Sequence, residues 1–425
     1  MANPKSHLKK AKKFLTSALV FHTPLKALST HGLYVEASDG KTYMDLASGL
    51  AATNIGHAHP EVVKAVTEQA QNLTHSGCIF HYDSILNLAE KLASITPEGI
   101  DKFFFSNSGA EAVEGAIKLA RHTTGRQGII AFQGGFHGRT FGAMTLTTSS
   151  AKYTKGYHPL LPSVYHTPYP YCYRCPFGTT PKKCSLQCFT SLETMLTREI
   201  TPEEVACMII EPVLGEGGYC PAPKDFLLRL RELCTEHGIL LIFDEVQSGF
   251  GRTGEWFAAE GYGITPDILT MAKGIASGMP LSAVGASKKI MSRWPPGAHG
   301  TTFGGNPISC AASIATINVI ENEDLLQNAQ KLGRAALREL RKIARSHSSI
   351  GDVRGMGLMI GVEFIAEDGS ADRACLEKVM ERCLNKGLII IDCGVNKNVA
   401  RLIPPLNITK GELMLAIEIF KEALP

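Results

Sequence analysis

Pro266-Asp267-Ile268-Leu269-Thr270-Met271-Ala272-Lys273-Gly274 is the stretch from which the fold of this chain is read. Residues 266–272 form an apolar run too short for a helix, closed by glycines at Gly274 and Gly278, and read as a buried strand. Lysine is almost never fully buried without a partner. A lysine at the inner end of such a strand therefore has two readings. Its ammonium head can reach solvent along the apolar stem. Alternatively, burial lowers its pKa and frees the amine to form an imine with an aldehyde. The lysine alone favours the first reading, and its neighbours reverse that preference.

Short apolar runs recur on both sides of it, at 102–105, 128–132, 205–210, 239–243 and 281–286. Between them lie segments of helical character, including 110–122, stopped by Gly125, and 224–237. Strands apolar on both faces and joined by helices describe an α/β chain with a mostly parallel, doubly wound sheet. Ligands of such sheets bind beyond the carboxyl ends of the strands.

Upstream, 33–36 and 42–46 flank Asp39-Gly40 as a hairpin. Helices follow at 61–73, opened by Pro60, and after Asp83 as N-cap. Downstream, a charged helix at 325–347, a strand at 358–364, a helix at 376–386, strands near 388 and 401, and a last helix from Lys410 make a smaller α+β unit. The expected division is 1–60, an N-terminal segment packing with the small domain; 61–324, the large domain; and 325–425, the small C-terminal domain. Residues 149–187, rich in Pro, Tyr and Cys, read as one long irregular loop. Loops of that length usually serve function or a partner.

Composition excludes several classes. In 425 residues, 44% hydrophobic and 20% charged, the net charge is only +3, so neither nucleic acid nor a membrane surface is expected as partner. No apolar run is long enough to span a bilayer. The basic N-terminus has a short, polar-interrupted apolar piece at 14–21 and no arginine before Arg121, unlike a signal or transit peptide. A surface helix and a cytoplasmic location are expected.

Two further segments carry chemistry. Ser106-Asn107-Ser108-Gly109-Ala110-Glu111-Ala112 joins a strand to a helix, whose free N–H groups and positive dipole end suit a phosphate. Any Ser-rich helix cap looks similar. Ile242-Phe243-Asp244-Glu245-Val246-Gln247 ends a strand on an acid, and a buried acid needs a cation or a proton. The protonated ring nitrogen of pyridoxal phosphate (PLP) is such a cation. A metal is the competing partner, but no His or Cys lies close in sequence to complete its shell.

With these go Phe136-His137-Gly138-Arg139-Thr140, Glu211-Pro212 with Gly215-Glu216-Gly217-Gly218, Lys273-Gly274 and Gly300-Thr301-Thr302-Phe303-Gly304-Gly305-Asn306-Pro307. In this order they resemble the class III (ω-type) PLP-dependent aminotransferases of fold type I, over nearly the whole chain, with the pattern nearest to the 4-aminobutyrate enzymes. The resemblance implies that Lys273 holds PLP as an imine and then shuttles a proton between the substrate carbon and the cofactor. It implies Asp244 on the ring nitrogen, Val246 and Phe136 on the two ring faces, and Gln247 near the phenolic oxygen. Ser108, Gly109 and Ala110 would hold the phosphate, completed by Thr302 from a neighbouring subunit. A homodimer, or a tetramer built from it, follows.

The same resemblance makes Arg139 a bidentate carboxylate grip. Glu216 and Arg401 would be a switch. Paired, they leave a neutral pocket for an ω-amino end; parted, Arg401 binds the α-carboxylate of glutamate. Leu50 falls where 4-aminobutyrate enzymes place an aliphatic pocket residue. The implied reaction moves an amino group from a linear ω-amino acid to 2-oxoglutarate by a ping-pong cycle. The rival is an amino-acid racemase or epimerase on the same scaffold. The departure from the pattern is Cys172, Cys175, Cys184 and Cys188, spaced C-x2-C-x8-C-x3-C. They could bind zinc or an iron–sulfur centre, pair as disulfides or stay free. The family pattern includes no metal, and none is assigned to the site.

Overall fold

The computed structural model describes residues 6–425. The opening stretch is a strand over Ile268–Met271, every residue buried, in the interior of a seven-stranded sheet. Its strands along the chain are β1 (Lys102–Ser106), β2 (Gly128–Phe132), β3 (Val164–Thr167), β4 (Val205–Ile210), β5 (Leu240–Asp244), β6 (Ile268–Met271) and β7 (Ser282–Ala286). They lie in the order β1-β7-β6-β5-β4-β2-β3, mostly parallel, with β7 antiparallel to both its neighbours.

Successive side chains of a strand point to opposite faces, and the core divides accordingly. Leu241, Phe243, Leu269 and Met271 join one apolar cluster, with Phe226 and Leu230 of the helix Lys224–His237. Ile242, Ile268 and Val284 join the other, with Val113 and Ile117 of the helix Gly109–Thr124. Both faces are covered, which is why these strands read as unbroken apolar runs.

The C-terminal region has a four-stranded antiparallel sheet, in the order Ile350–Met356, Met359–Phe364, Val399–Leu402, Ile391–Cys393, with helices Leu325–Ser346, Arg373–Asn385 and Lys410–Ala423. The N-terminal hairpin pairs Tyr34–Ala37 with Thr42–Asp45, and the latter strand runs parallel to Leu388–Ile389. A helix over Ser6–Phe14 has no buried residue. Among the described residues, no helix is long and apolar enough to cross a membrane.

Two local readings need correction, and one helix has no counterpart in the sequence reading. The stretch 149–187 is not wholly irregular, since Val164–Thr167 adds to the sheet edge as β3. An edge strand of four residues containing His and Thr gives no apolar run to detect. The helix Pro307–Asn322 has no sequence period because nine of its residues are buried around its circumference. Asp83 is the first residue of its helix rather than the cap, which is Tyr82.

Candidate active site

The parallel strands end at one edge, and the residues just past those ends face a single cavity of about 440 Å³. Asp244, the last residue of β5, is 4% exposed. Its Oδ1 accepts from Thr270 Oγ1 at 3.0 Å and from Val246 N at 3.1 Å. Its Oδ2 meets His137 Nδ1 at 2.7 Å. A buried carboxylate is held this way without leaving a polar atom stranded. Burial pulls the His137 imidazole down, but the hydrogen bond and charge of Asp244 outweigh it, and its pKa stands above the ordinary 6.5.

Glu211 follows β4. It accepts Phe136 N at 2.8 Å and Gly215 N at 2.9 Å, one on each oxygen. Burial pushes its carboxyl up to about 7, with His137 opposing and Asp244 reinforcing the rise. Neither His137 nor Glu211 received a role from the sequence. His137 is separated from Asp244 by 107 residues, and the available signal was an imidazole set among small residues in a strand-end motif.

Lys273 is half-buried, lines the cavity, and takes a left-handed backbone with φ 46° at the start of a short 3-10 turn. Such a φ costs a non-glycine residue roughly 1 kcal/mol or more and persists only where the surroundings impose it. Burial lowers the pKa of its amine, while Glu216 draws it back up and Arg401 presses it down. The amine reading of Lys273 thus has a physical basis.

The residues present fit PLP. The helix Gly109–Thr124 opens on a capping box, in which Ser108 N donates to Glu111 Oε2 at 2.8 Å and Glu111 N to Ser108 Oγ at 3.3 Å. Two first-turn donors are thereby occupied. The N–H groups of Gly109 and Ala110 have no intrahelical acceptor and stay available to an anion. A Cβ on Gly109 would meet Val246 Cγ1 at 2.8 Å, so glycine keeps that approach open. Phe136 and Val246 both line the cavity. Gln247 Oε1 is buried with no hydrogen-bond partner in the described structure, an orphan that a ligand hydroxyl or protonated oxygen would satisfy.

Substrate residues are placed unevenly. Arg139 lines the cavity, its guanidinium 4.5 Å from the Tyr153 ring centroid. Glu216 lines it too and pairs with the buried Arg401, Oε1 to Nη1 at 2.7 Å. Burial raises the Glu216 carboxyl, but the nearby Arg401 and Lys273 charges bring it below its ordinary value. Arg401 Nε is a further buried donor without a partner. Leu50, 48% exposed, and Thr302, also exposed, are not among the residues lining this chain's cavity. All twelve cysteines are free, and among the described residues no group of three or more His, Cys, Asp or Glu side chains is arranged to hold a metal.

Comparison with known proteins gives consistent matches. The family model described as aminotransferase class-III matches residues 18–424. The chain is 39% identical to the leucine/methionine racemase of Thermococcus litoralis, over 97% of this chain and 93% of that protein. It is 40% identical to the 4-aminobutyrate aminotransferase GabT of Escherichia coli, over 90% of this chain and 89% of that one. Among solved structures, an amine transaminase from an uncultivated Pseudomonas species, in PLP-bound form, superposes with a TM-score of 0.89 at 30% identity, covering 97% of both chains.

Proposed function

The chain belongs to the class-III aminotransferases, PLP-dependent enzymes of fold type I, and on that premise we propose that it moves an amino group from a linear ω-amino acid of the 4-aminobutyrate kind to 2-oxoglutarate by a ping-pong mechanism. The observation that carries the reading is the 2.7 Å pair between Glu216 of the cavity wall and the buried Arg401. PLP, when bound, supplies the electron sink that makes the substrate's C–H bond acidic. The chain's own residues do the rest.

Lys273, whose amine burial holds below its ordinary pKa, would take the proton from the substrate carbon and return it to the carbon on the far side of the substrate nitrogen. Asp244, oriented by His137 and Thr270, offers a fixed negative charge to the ring nitrogen. Arg139 holds the donor's carboxylate. With Glu216 on Arg401 the opposite wall is neutral and accepts the amine end. When Glu216 turns away, Arg401 offers its guanidinium, including the unpartnered Nε, to the α-carboxylate of the second substrate. Leu50, two residues from the cavity-lining Ala52, would add an aliphatic wall. Thr302, exposed and not among the residues lining its own cavity, would serve the phosphate of a partner copy, making the homodimer the working unit. The large unit would span 61–324, with 1–60 tied to 325–425 through the pairing of Thr42–Asp45 with Leu388–Ile389. A cytoplasmic location belongs to the same reading.

The second reading is a racemase or epimerase, favoured by the 39% identity to the Thermococcus enzyme. It needs one carboxylate site rather than two. Arg401→Gln separates the two. Loss of a buried charged contact to 2-oxoglutarate raises its KM by about 30-fold, with the donor's KM moving less than about fivefold. Equal shifts in both constants, or loss of optical rotation from a chiral amino acid with no glutamate formed, would transfer the function to the racemase class.

A further inference from the structure

Glu216 and Arg401 meet where residues 215–218 cross the C-terminal sheet, and a second ion pair holds that crossing. Glu363, 1% exposed, accepts from Arg354 Nη1 at 2.7 Å, from Asn398 Nδ2 at 3.4 Å, and from the Tyr171 hydroxyl and Arg174 Nε. Arg354 Nη1 also donates to Asp352 Oδ2 at 2.9 Å, while Nε at 3.0 Å and Nη2 at 2.6 Å both donate to the carbonyl of Gly218. Gly218 lies two residues past Glu216. On the other side of the crossing, Gly394 N donates to the Glu216 carbonyl at 2.8 Å.

The sheet comes close beneath. Gly361 is the register partner of Arg401, and a Cβ there would meet the Gly218 carbonyl oxygen at 3.2 Å and Tyr219 Cβ at 3.1 Å. The main chain around Glu216 is therefore held from three directions. The Glu216 side chain, half-buried, faces the cavity.

We propose that Arg354, fixed by Glu363, is a positioning residue that pins the 216–218 crossing so that the Glu216–Arg401 switch works by side-chain rotation alone. Tyr171 and Arg174 grip the same Glu363. The Tyr- and Cys-rich loop is thereby a specificity element, tied to substrate choice although it contributes no residue to the cavity wall. The inference rests on the two-substrate reading above.

The direction of the effect follows from charge. Without the pin, Glu216 drifts from Arg401 and a bare guanidinium faces the amine end of the donor. The donor suffers from like charge, whereas a dicarboxylate gains from an unpaired Arg401. Small displacements in a charged site are enough to matter. A merely structural role would reduce the active fraction, lowering apparent kcat for both substrates and leaving both KM values in place.

The test uses the full-length holoenzyme and compares wild type with Arg354→Gln and the milder Arg354→Lys and Glu363→Gln. In Arg354→Gln the KM for 4-aminobutyrate rises about tenfold, kcat stays within about threefold, and the KM for 2-oxoglutarate is unchanged or lower. The dissociation constant of glutarate, a dicarboxylate that cannot react, is read from the cofactor's absorbance and is unchanged or tighter. If Arg354→Gln does not fold, the two milder variants show the same split at smaller size. Equal movement of donor and dicarboxylate constants, or movement of neither, overturns the proposal. If wild type itself neither converts 4-aminobutyrate nor binds glutarate, the two-substrate reading fails and the inference falls with it.

Discussion

Lys273→Ala lowers amino-group transfer by at least about 10⁴-fold, because one side chain supplies both the proton shuttle and the covalent hold on the cofactor. The folded state survives. Lys273 is half-buried, sits in a short turn, and its head faces the cavity rather than the core. Its thermal midpoint is expected to stay within a few degrees of wild type, since no apolar cluster loses a member. PLP added to the variant binds without the absorbance of the lysine-bound cofactor. Kinetics, melting and the spectrum together check this. A variant that keeps more than about one hundredth of wild-type turnover would remove Lys273 from the role assigned to it.

Asp244→Asn is the second large effect, and it acts on stability as well as rate. The side chain keeps its shape but loses its charge, so the ring nitrogen has no anion and turnover falls roughly 10²- to 10³-fold, the scale of removing one preorganised electrostatic partner. His137, buried at 2.7 Å from Asp244, loses the group that raises its pKa. The sign of the stability change follows by linkage. In the wild type, a folded-state pKa above the ordinary 6.5 contributes stability that is full below 6.5 and is lost as pH rises through the folded value. The variant forfeits that contribution, and below 6.5 it must also bury an imidazolium without a counter-charge. Asp244→Asn therefore costs about 3 kcal/mol near pH 5.5, on the scale of a broken buried pair, and much less near pH 9. Denaturation at the two pH values measures the difference. An equal loss at both would mean that His137 carries no charge beside Asp244.

Much of this architecture is legible in the sequence for a physical reason. Strands covered on both faces, such as β4 and β5, must be apolar at every position, so they stand out as runs. The residues that break such runs at their ends, Asp244 and Lys273, are then the ones needing explanation. What stays hidden is of two kinds. Elements lacking a pattern, such as the edge strand Val164–Thr167 and the deeply buried helix Pro307–Asn322, leave little periodic signal. Long-range polar partners leave none. His137 on Asp244, Glu211 bridging Phe136 and Gly215, and Glu363 gathering Tyr171, Arg174 and Arg354 are contacts that only the folded chain displays. The site residues fall out likewise. Lys273, Asp244, Val246 and Gln247 come together at the carboxyl ends of two adjacent parallel strands. Leu50 and Thr302 do not reach the same chain's cavity, and their assigned roles depend on surfaces beyond it.

Whether the amino group stays behind on the enzyme separates transamination from every other fate of the substrate. Purified holoenzyme mixed with 4-aminobutyrate, in the absence of any oxoacid, is expected to lose the absorbance of the lysine-bound cofactor and gain that of the cofactor's amine form in a single turnover. Adding 2-oxoglutarate then restores the original spectrum and yields one glutamate per site. Persistence of the original band with 4-aminobutyrate, while a chiral amino acid loses its optical rotation under the same conditions, would contradict the transaminase reading.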